Sequence, residues 1–328
     1  MTDPALDALS RRLLGLLQSE FPLSREPYAD LGAKLGIGGN GVISLIQEMK
    51  AKGIVRQIGP VLDARKLGYQ STLVALKVEK ARIARAEQFI ADHPGISHGY
   101  QREHEFNIWV TLAIPPGADL KSELEDMSSR TGAEAIFSLA AVKVFKLRTN
   151  FGADEDAAAD AGIRDNNDLT KQTLLSPTDR KVINLLQQDL PMCHDPFTAP
   201  AAYLKISVPS LLSHCRSLLE RGVIRRYGAS INHYNAGYKA NAMTCWVVPA
   251  GRVELTGGQM AGLRQVSHCY ERETNDLWHY NVFAMLHSQS KAACLRVIEK
   301  ISRDTGLSDY VALFSTREFK KTRIQYRV

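Results

Sequence analysis

The sequence predicts an α+β fold in which one unit, a three-helix head followed by a βαββαβ domain, occurs twice in tandem. Three observations predict it: an internal repeat running through nearly the whole chain, helical periodicity opening each copy, and the order of strand-like and helix-like segments that follows.

The repeat comes first. Laid on itself with a shift of 169 residues (185 − 16), the chain aligns Leu16-Leu17-Gln18 with Leu185-Leu186-Gln187, Pro22 with Pro191, Pro27 with Pro196, Gly53 with Gly222, and Gly68-Tyr69 with Gly237-Tyr238. At a shift of 170 (267 − 97), Ser97-His98-Gly99-Tyr100-Gln101-Arg102-Glu103 meets Ser267-His268-Cys269-Tyr270-Glu271-Arg272-Glu273. At 174 (305 − 131), Thr131-Gly132 meets Thr305-Gly306 and Phe145-Lys146 meets Phe319-Lys320. Between the copies lies a stretch rich in Ala, Asp and Asn without periodic large apolar residues, the composition of a linker. The expected organisation is a head at 1–69, a βαββαβ domain at 70–149, a linker at 150–173, a second head at 174–238 and a second βαββαβ domain at 239–328.

Each head carries helical spacing at Leu9 to Leu17, Tyr28 to Leu35 and Val42 to Met49, with counterparts at Val182 to Leu186, Ala199 to Leu204 and Pro209 to Leu219. Gly53 and Gly222 then read as helix-ending glycines leading into a β wing, giving a winged helix-turn-helix. Strands are expected at Ser71 to Val78, Ile96 to Arg102, Phe106 to Ile114 and Ala135 to Leu147, with helices at Ala81 to Asp92 and Leu120 to Arg130. That order indicates a ferredoxin-like sheet, repeated from about Ala240 onward.

Composition narrows the class. The chain has 328 residues, 45% hydrophobic and 23% charged, and no apolar run approaches the ~20 residues of a membrane helix. Its start, polar and then amphipathic, lacks the pattern of a secretory signal, so a cytoplasmic protein is expected. The five cysteines all fall in the second copy without a CxxC pair, which predicts reduced core residues and neither a disulfide framework nor a metal site. A net charge of +6 suits an anionic partner, either nucleic acid or a small polycarboxylate.

Residues two apart share a strand face, so His98, Tyr100 and Arg102 are expected to point one way, as are His268, Tyr270 and Arg272. The next strands add Asn107 and Trp109 in copy one and Asn281 in copy two, across turns holding His104 in one and Trp278 and His279 in the other. His233 sits where the second head passes into its sheet domain. Arginine suits carboxylates, histidine suits proton transfer or an axial bond to iron, and flat aromatic faces suit a macrocycle. A buried row of such groups would be costly without a ligand, which favours function over a plain core. His194, His214 and His287 stand alone, and Arg56 and Arg225-Arg226 read as a solvated basic face.

The order of winged helix, Gly-Tyr link and βαββαβ domain resembles the Lrp/AsnC regulators across nearly all of each copy, implying an intramolecular pseudo-dimer. The hairpin segments Ser97 to Leu112 and Ser267 to Arg272 with Trp278 to His287 resemble the two halves of the siroheme decarboxylases, the Ahb and Nir proteins, in the fused NirDL-like arrangement. The second signature departs from that family at His279 and in Glu273 to Leu277, where proline is expected; this leaves His279 as an additional site residue.

The resemblance implies removal of CO2 from the C12 and C18 acetates of siroheme, a lyase reaction without added cofactor, in heme d1 or alternative heme formation. The expected partners are siroheme or a related iron porphyrin and other proteins of the heme d1 route; homodimer formation stays open. Arg102 and Arg272 would anchor carboxylates, with His98, His104 and then His268 as catalytic proton donors, and any of these histidines could ligate the substrate iron. Because Thr274 stands where copy one has His104, copy one is the expected working site.

The rival reading is a DNA-binding regulator sensing heme or a small ligand; a third is a heme carrier. A recognition helix should offer polar donors to bases and phosphates. Ile37 to Ile46 is glycine-rich and poor in donors, and Ser207 to Arg216 has one arginine, so both heads read as scaffold and nucleic acid is not the expected partner.

Overall fold

The computed structural model describes residues 6–147, 173–231 and 240–328. The first head packs α1 (Ala8–Ser19), α2 (Pro27–Leu35) and α3 (Gly39–Ala51) ahead of β1 (Val55–Leu62). Helix α1 starts where the Asp7 carboxylate accepts the Ser10 N–H at 2.6 Å, and it buries Leu13, Leu14 and Leu17. Helix α2 stops at Gly36 and α3 is left through Gly53, with φ of 72° and 65°, the left-handed backbone that glycine adopts without strain. The second head repeats this with α6 (Pro177–Leu186), α7 (Thr198–Tyr203), α8 (Val208–Glu220) and β6 (Ile224–Ile231), α6 opening on a capping box of Ser176 and Asp179.

The first βαββαβ domain comprises β2 (Gln70–Lys77), α4 (Ile83–Asp92), β3 (Ile96–Arg102), β4 (Ile108–Ile114), α5 (Leu120–Thr131) and β5 (Ala135–Leu147). The second comprises β7 (Ala240–Trp246), α9 (Val253–Gly262), β8 (Val266–Arg272), β9 (Val282–Ser288), α10 (Lys291–Thr305) and β10 (Tyr310–Lys321). Both have the ferredoxin-like strand order, β5-β2-β4-β3 and β10-β7-β9-β8. The fold is thus α+β and duplicated, as the sequence predicts.

Two features differ from the expectation. The wings are not separate: β1 pairs antiparallel with β6 of the other copy, Gly59 opposite Gly228, so the two heads share one two-stranded sheet. Strands β5 and β10 are long enough to pair within their own domain and then with the other copy, β5 with β8 and β10 with β3. Instead of two open sheets, eight strands of the described residues close into one barrel, which leaves no sheet edge there. Smaller differences are local: β4 begins at Ile108 because the Phe106 N–H is turned onto His104 Nδ1 at 3.1 Å, and the segment before α4 is a 3-10 turn.

The cores follow this architecture. One apolar cluster spans both heads, one lies under the helices of each ferredoxin-like half, and a fourth fills one end of the barrel with Trp109, Phe137, Trp278 and Phe283. Four cysteines are buried as expected, but Cys193 is exposed, and all five are free thiols. No helix of the described residues is long and apolar enough to cross a membrane. The linker placed at 150–173 and His233 fall outside the described residues, apart from Thr173.

Candidate functional site inside the barrel

Strand β3 decides which side its chemistry faces. A Cβ on Gly99 would come within 2.6 Å of Ile90 on α4, so that face is pressed against the helix layer and the alternate residues His98, Tyr100 and Arg102 face the barrel interior. In copy two Cys269 replaces Gly99, its thiol lying 3.7 Å from the Gly257 carbonyl oxygen on α9, where a Cβ on Gly257 would strike the Phe145 ring.

The two rows are built alike. His98 Nδ1 lies 2.9 Å from Ser97 Oγ and His268 Nδ1 2.8 Å from Ser267 Oγ. The His98 and Tyr100 rings stack at 6.5 Å, and those of His268 and Tyr270 at 6.2 Å. The Arg102 guanidinium sits 5.3 Å over Tyr100, and that of Arg272 4.7 Å over Tyr270. Each arginine donates across the copy boundary at 2.8 Å, Arg102 Nη1 to the Leu313 carbonyl and Arg272 Nη1 to the Leu139 carbonyl.

This region is charged without being neutralised. Arg102 is 5% exposed, and burial pushes it down to about 10, so it remains a cation at neutral pH. Burial lowers Arg272 and Lys321 as well. The buried Nε atoms of Arg102 and Arg272 have no hydrogen-bond partner, and among the described residues no carboxylate forms an ion pair with Arg102, Arg272 or Lys321. Arg56 and Arg225, from the shared sheet of the heads, reach toward the tyrosines but are paired, Arg56 with Glu318 at 3.2 Å and Arg225 with Asp63 at 3.0 Å.

Three imidazoles gather at this end. Burial, then Lys321, His268 and Arg56, hold His98 down at about 3. Burial and then Lys321 hold His268 at about 4, and burial, His268 and Lys321 hold His287 at about 3. All three are therefore neutral at physiological pH. An incoming carboxylate would oppose that depression, because a nearby anion favours the imidazolium.

The remaining expected residues lie elsewhere. His104 is in the β3–β4 turn, accepts from Phe106 N–H, and packs at 5.4 Å against Trp278 from the other copy's hairpin. Four steps along the strand, about 13 Å at ~3.3 Å each, separate His98 from Arg102 alone, so His104 belongs to the opposite end of the barrel. Trp109 is 1% exposed and donates its indole N–H to the Phe106 carbonyl at 2.7 Å; with Trp278 it forms the aromatic plug and presents no free face to a macrocycle. Asn107 brackets Val78, donating to its carbonyl at 2.8 Å and accepting its N–H at 3.1 Å, and Asn281 brackets Val248 with 2.8 Å bonds. Both amides are thus occupied in tying a hairpin to a neighbouring strand end. His279 is exposed, 3.8 Å from Asp309, with its ring 4.2 Å from that of Tyr280 at a tilt of 31°.

Sequence reasoning missed His287, Lys321, Arg56 and Arg225. His287 and Lys321 have no like residue in copy one, so the repeat could not flag them. The arginines were assigned to a solvated wing because the pairing of β1 with β6 is not written in local sequence.

Comparison with known proteins agrees with this architecture. The AsnC-like ligand binding domain family matches residues 66–146 and 235–320, and the Siroheme decarboxylase NirDL-like HTH domain family matches residues 10–56 and 179–225. A siroheme decarboxylase of Hydrogenobacter thermophilus is 39% identical over 96% of this chain and 94% of its own length. A siroheme decarboxylase beta subunit of Methanosarcina barkeri is 42% identical over 46% of this chain and 99% of its own, so one separate subunit corresponds to about one copy here. The crystal structure of the siroheme decarboxylase NirDL in complex with an iron-uroporphyrin III analogue superposes with a TM-score of 0.73 at 34% identity, covering 98% of this chain and 95% of that one. The tandem architecture, the paired barrel rows and these full-length similarities place the chain in the siroheme decarboxylase family.

Proposed function

We propose that this protein is a carboxy-lyase that converts siroheme to 12,18-didecarboxysiroheme by removing CO2 from the C12 and C18 acetates, without added cofactor, in heme d1 or a related heme route in the cytoplasm. The observation that carries this reading is the set of Arg102, Arg272 and Lys321, cations inside or at the mouth of the barrel without carboxylate partners among the described residues. Unpaired buried charge is expensive, and a ligand bearing several carboxylates offsets that cost.

The chemistry asks little more. The bond from the pyrrole-bound methylene to the carboxyl carbon breaks, CO2 leaves, and the electron pair stays on the methylene, delocalised into the macrocycle. A proton then makes the methyl group. Arg102 and Arg272 would hold carboxylates by charge-assisted hydrogen bonds, the low-dielectric surroundings favouring loss of charge from the reacting group. His98 or His268, raised toward protonation by the bound carboxylates, would deliver the proton, with Ser97 and Ser267 fixing their ring orientation. Tyr100 and Tyr270 offer aromatic surface beside both. A histidine of this set ligating the substrate iron is the alternative role. His104, His279 and Trp278 would act from the hairpin end, and His233 stays a substrate-binding proposal.

Anaerobic incubation of the purified protein with siroheme, followed by mass spectrometry of the porphyrin, tests this. Successive loss of one and two CO2, abolished in His98→Gln;His268→Gln with porphyrin binding retained, is the expected result. Tight binding with unchanged siroheme would instead mark a carrier or sensor.

A further inference from the structure

The two rows of the barrel are close to two-fold copies in their distances. Ser97, His98, Tyr100 and Arg102 make the same contacts as their counterparts to within a few tenths of an ångström for the histidine–serine, ring–ring and arginine–carbonyl pairs. A site with that symmetry cannot by itself tell one orientation of a flat ligand from the orientation turned by half a revolution. Siroheme lacks such two-fold symmetry in its acetates and propionates, so the two orientations would present different acetates to the same group.

The backbone register is the same in both copies, and the symmetry is broken by which residue occupies equivalent register positions. Lys321 on β10 pairs with His98 on β3, and at the equivalent place Leu147 on β5 pairs with His268 on β8. The next pair keeps the equivalence, Lys320 with Gly99 and Lys146 with Cys269; beyond it Glu318, which is paired with Arg56, stands opposite Tyr100 where Val144 stands opposite Tyr270. At this register position one copy therefore has a lysine and the other a leucine. Lys321 is partly buried, and among the described residues its Nζ forms no hydrogen bond and no ion pair. Its charge is felt at His98, His268 and His287 alike, which places it near the middle of the imidazole group. The carboxylate that acts on it, Glu318, is already paired with Arg56 and makes no direct ion pair with the ammonium, which leaves Lys321 poised for an anionic group of the ligand.

We propose that Lys321 is the positioning residue that fixes which way round the porphyrin sits, by pairing with a peripheral carboxylate on one side only, and so determines which acetate is lost first. This rests on the decarboxylase reading above. The reaction itself is unchanged by it; the lysine acts on orientation, before any bond breaks.

The test is anaerobic turnover of siroheme stopped at partial conversion, with the monodecarboxylated isomers separated by chromatography and binding followed in parallel by Soret absorbance. The expected result is one dominant isomer for the wild-type chain, a shift toward comparable amounts of both for Lys321→Leu, and recovery of the single isomer for Lys321→Arg. Leu147→Lys, which restores the symmetry from the other side, should also mix the isomers and does not depend on Lys321→Leu remaining folded. The same dominant isomer in wild type, Lys321→Leu and Leu147→Lys would overturn the inference, as would equal isomers from the wild type. Loss of turnover in both Lys321→Leu and Lys321→Arg with binding intact would also overturn it, in favour of a direct part in the chemistry. A wild-type chain that binds siroheme and never decarboxylates it would instead remove the functional reading on which this rests.

Discussion

His98 shows how burial and function are tied at a single residue. Its imidazole is held near 3 when folded, against an ordinary value of 6.5, so between those pH values the unfolded chain binds the extra proton. Stability contributed by the neutral ring is complete above about pH 6.5 and is lost as the pH falls toward 3. His98→Gln should therefore flatten the fall of Tm between pH 6.5 and 4; an unchanged acid slope would show that the ring is not held neutral. Asn107 gives the opposite lesson. Its amide spends both of its polar atoms on Val78, so Asn107→Ala should lower stability by about 2 kcal/mol in denaturant titrations, with siroheme kcat/KM per folded molecule little changed. A raised KM at unchanged stability would return it to the substrate. The rows of His, Tyr and Arg were legible because strand alternation and the repeat both point to them. Trp109 and Asn107 were read as site residues for the same reason, yet in the fold one is plug and the other bracket, a distinction that depends on how deep each sits in the barrel.

At the scale of elements, the helices and strands were largely legible, since hydrophobic spacing, Gly53, Gly222 and the strand–helix alternation are local signals. The pairing was not. Nothing near Val55–Leu62 specifies a partner strand some 170 residues away, and without that partner Arg56 and Arg225 look like solvent-facing wing residues. The pairing also leaves no free wing to lie along a DNA backbone, in keeping with the donor-poor first recognition helix. Packing in this sheet is tight: a Cβ on Gly228 would strike the Leu17 carbonyl oxygen, binding the β6 strand of the second head to the α1 helix of the first. Gly228→Ala should accordingly loosen the heads, seen as faster amide exchange in both α1 and β1; exchange confined to the second head would contradict the shared sheet.

For the whole molecule, duplication supplies two rows to one chamber and the closure of the barrel makes each copy dependent on the other. Strands β3, β5, β8 and β10 all pair across the copy boundary, so a single copy would expose two strand edges of unpaired backbone, β3 and β5 or β8 and β10. Residues 1–160 and 161–328 produced separately should be aggregation-prone or weakly folded, and produced together should co-elute as one complex in size-exclusion chromatography; a stable, monomeric single copy would contradict this. The same closure brings Arg102 and Arg272 from different copies into one barrel, with Lys321 at the histidine end, and those cations are expected to receive the carboxylates of the macrocycle. The most direct measurement is equilibrium titration, followed by Soret absorbance, of iron uroporphyrin and of heme b, which retains only its propionates, against the wild type and Arg102→Met;Arg272→Met. The account expects the wild type to bind iron uroporphyrin at least about 30-fold more tightly than heme b, as roughly 2 kcal/mol of charge-assisted pairing requires, and the double variant to lose most of that difference. Equal affinity for the two porphyrins in the wild type, or a preference that survives in the double variant, would contradict it.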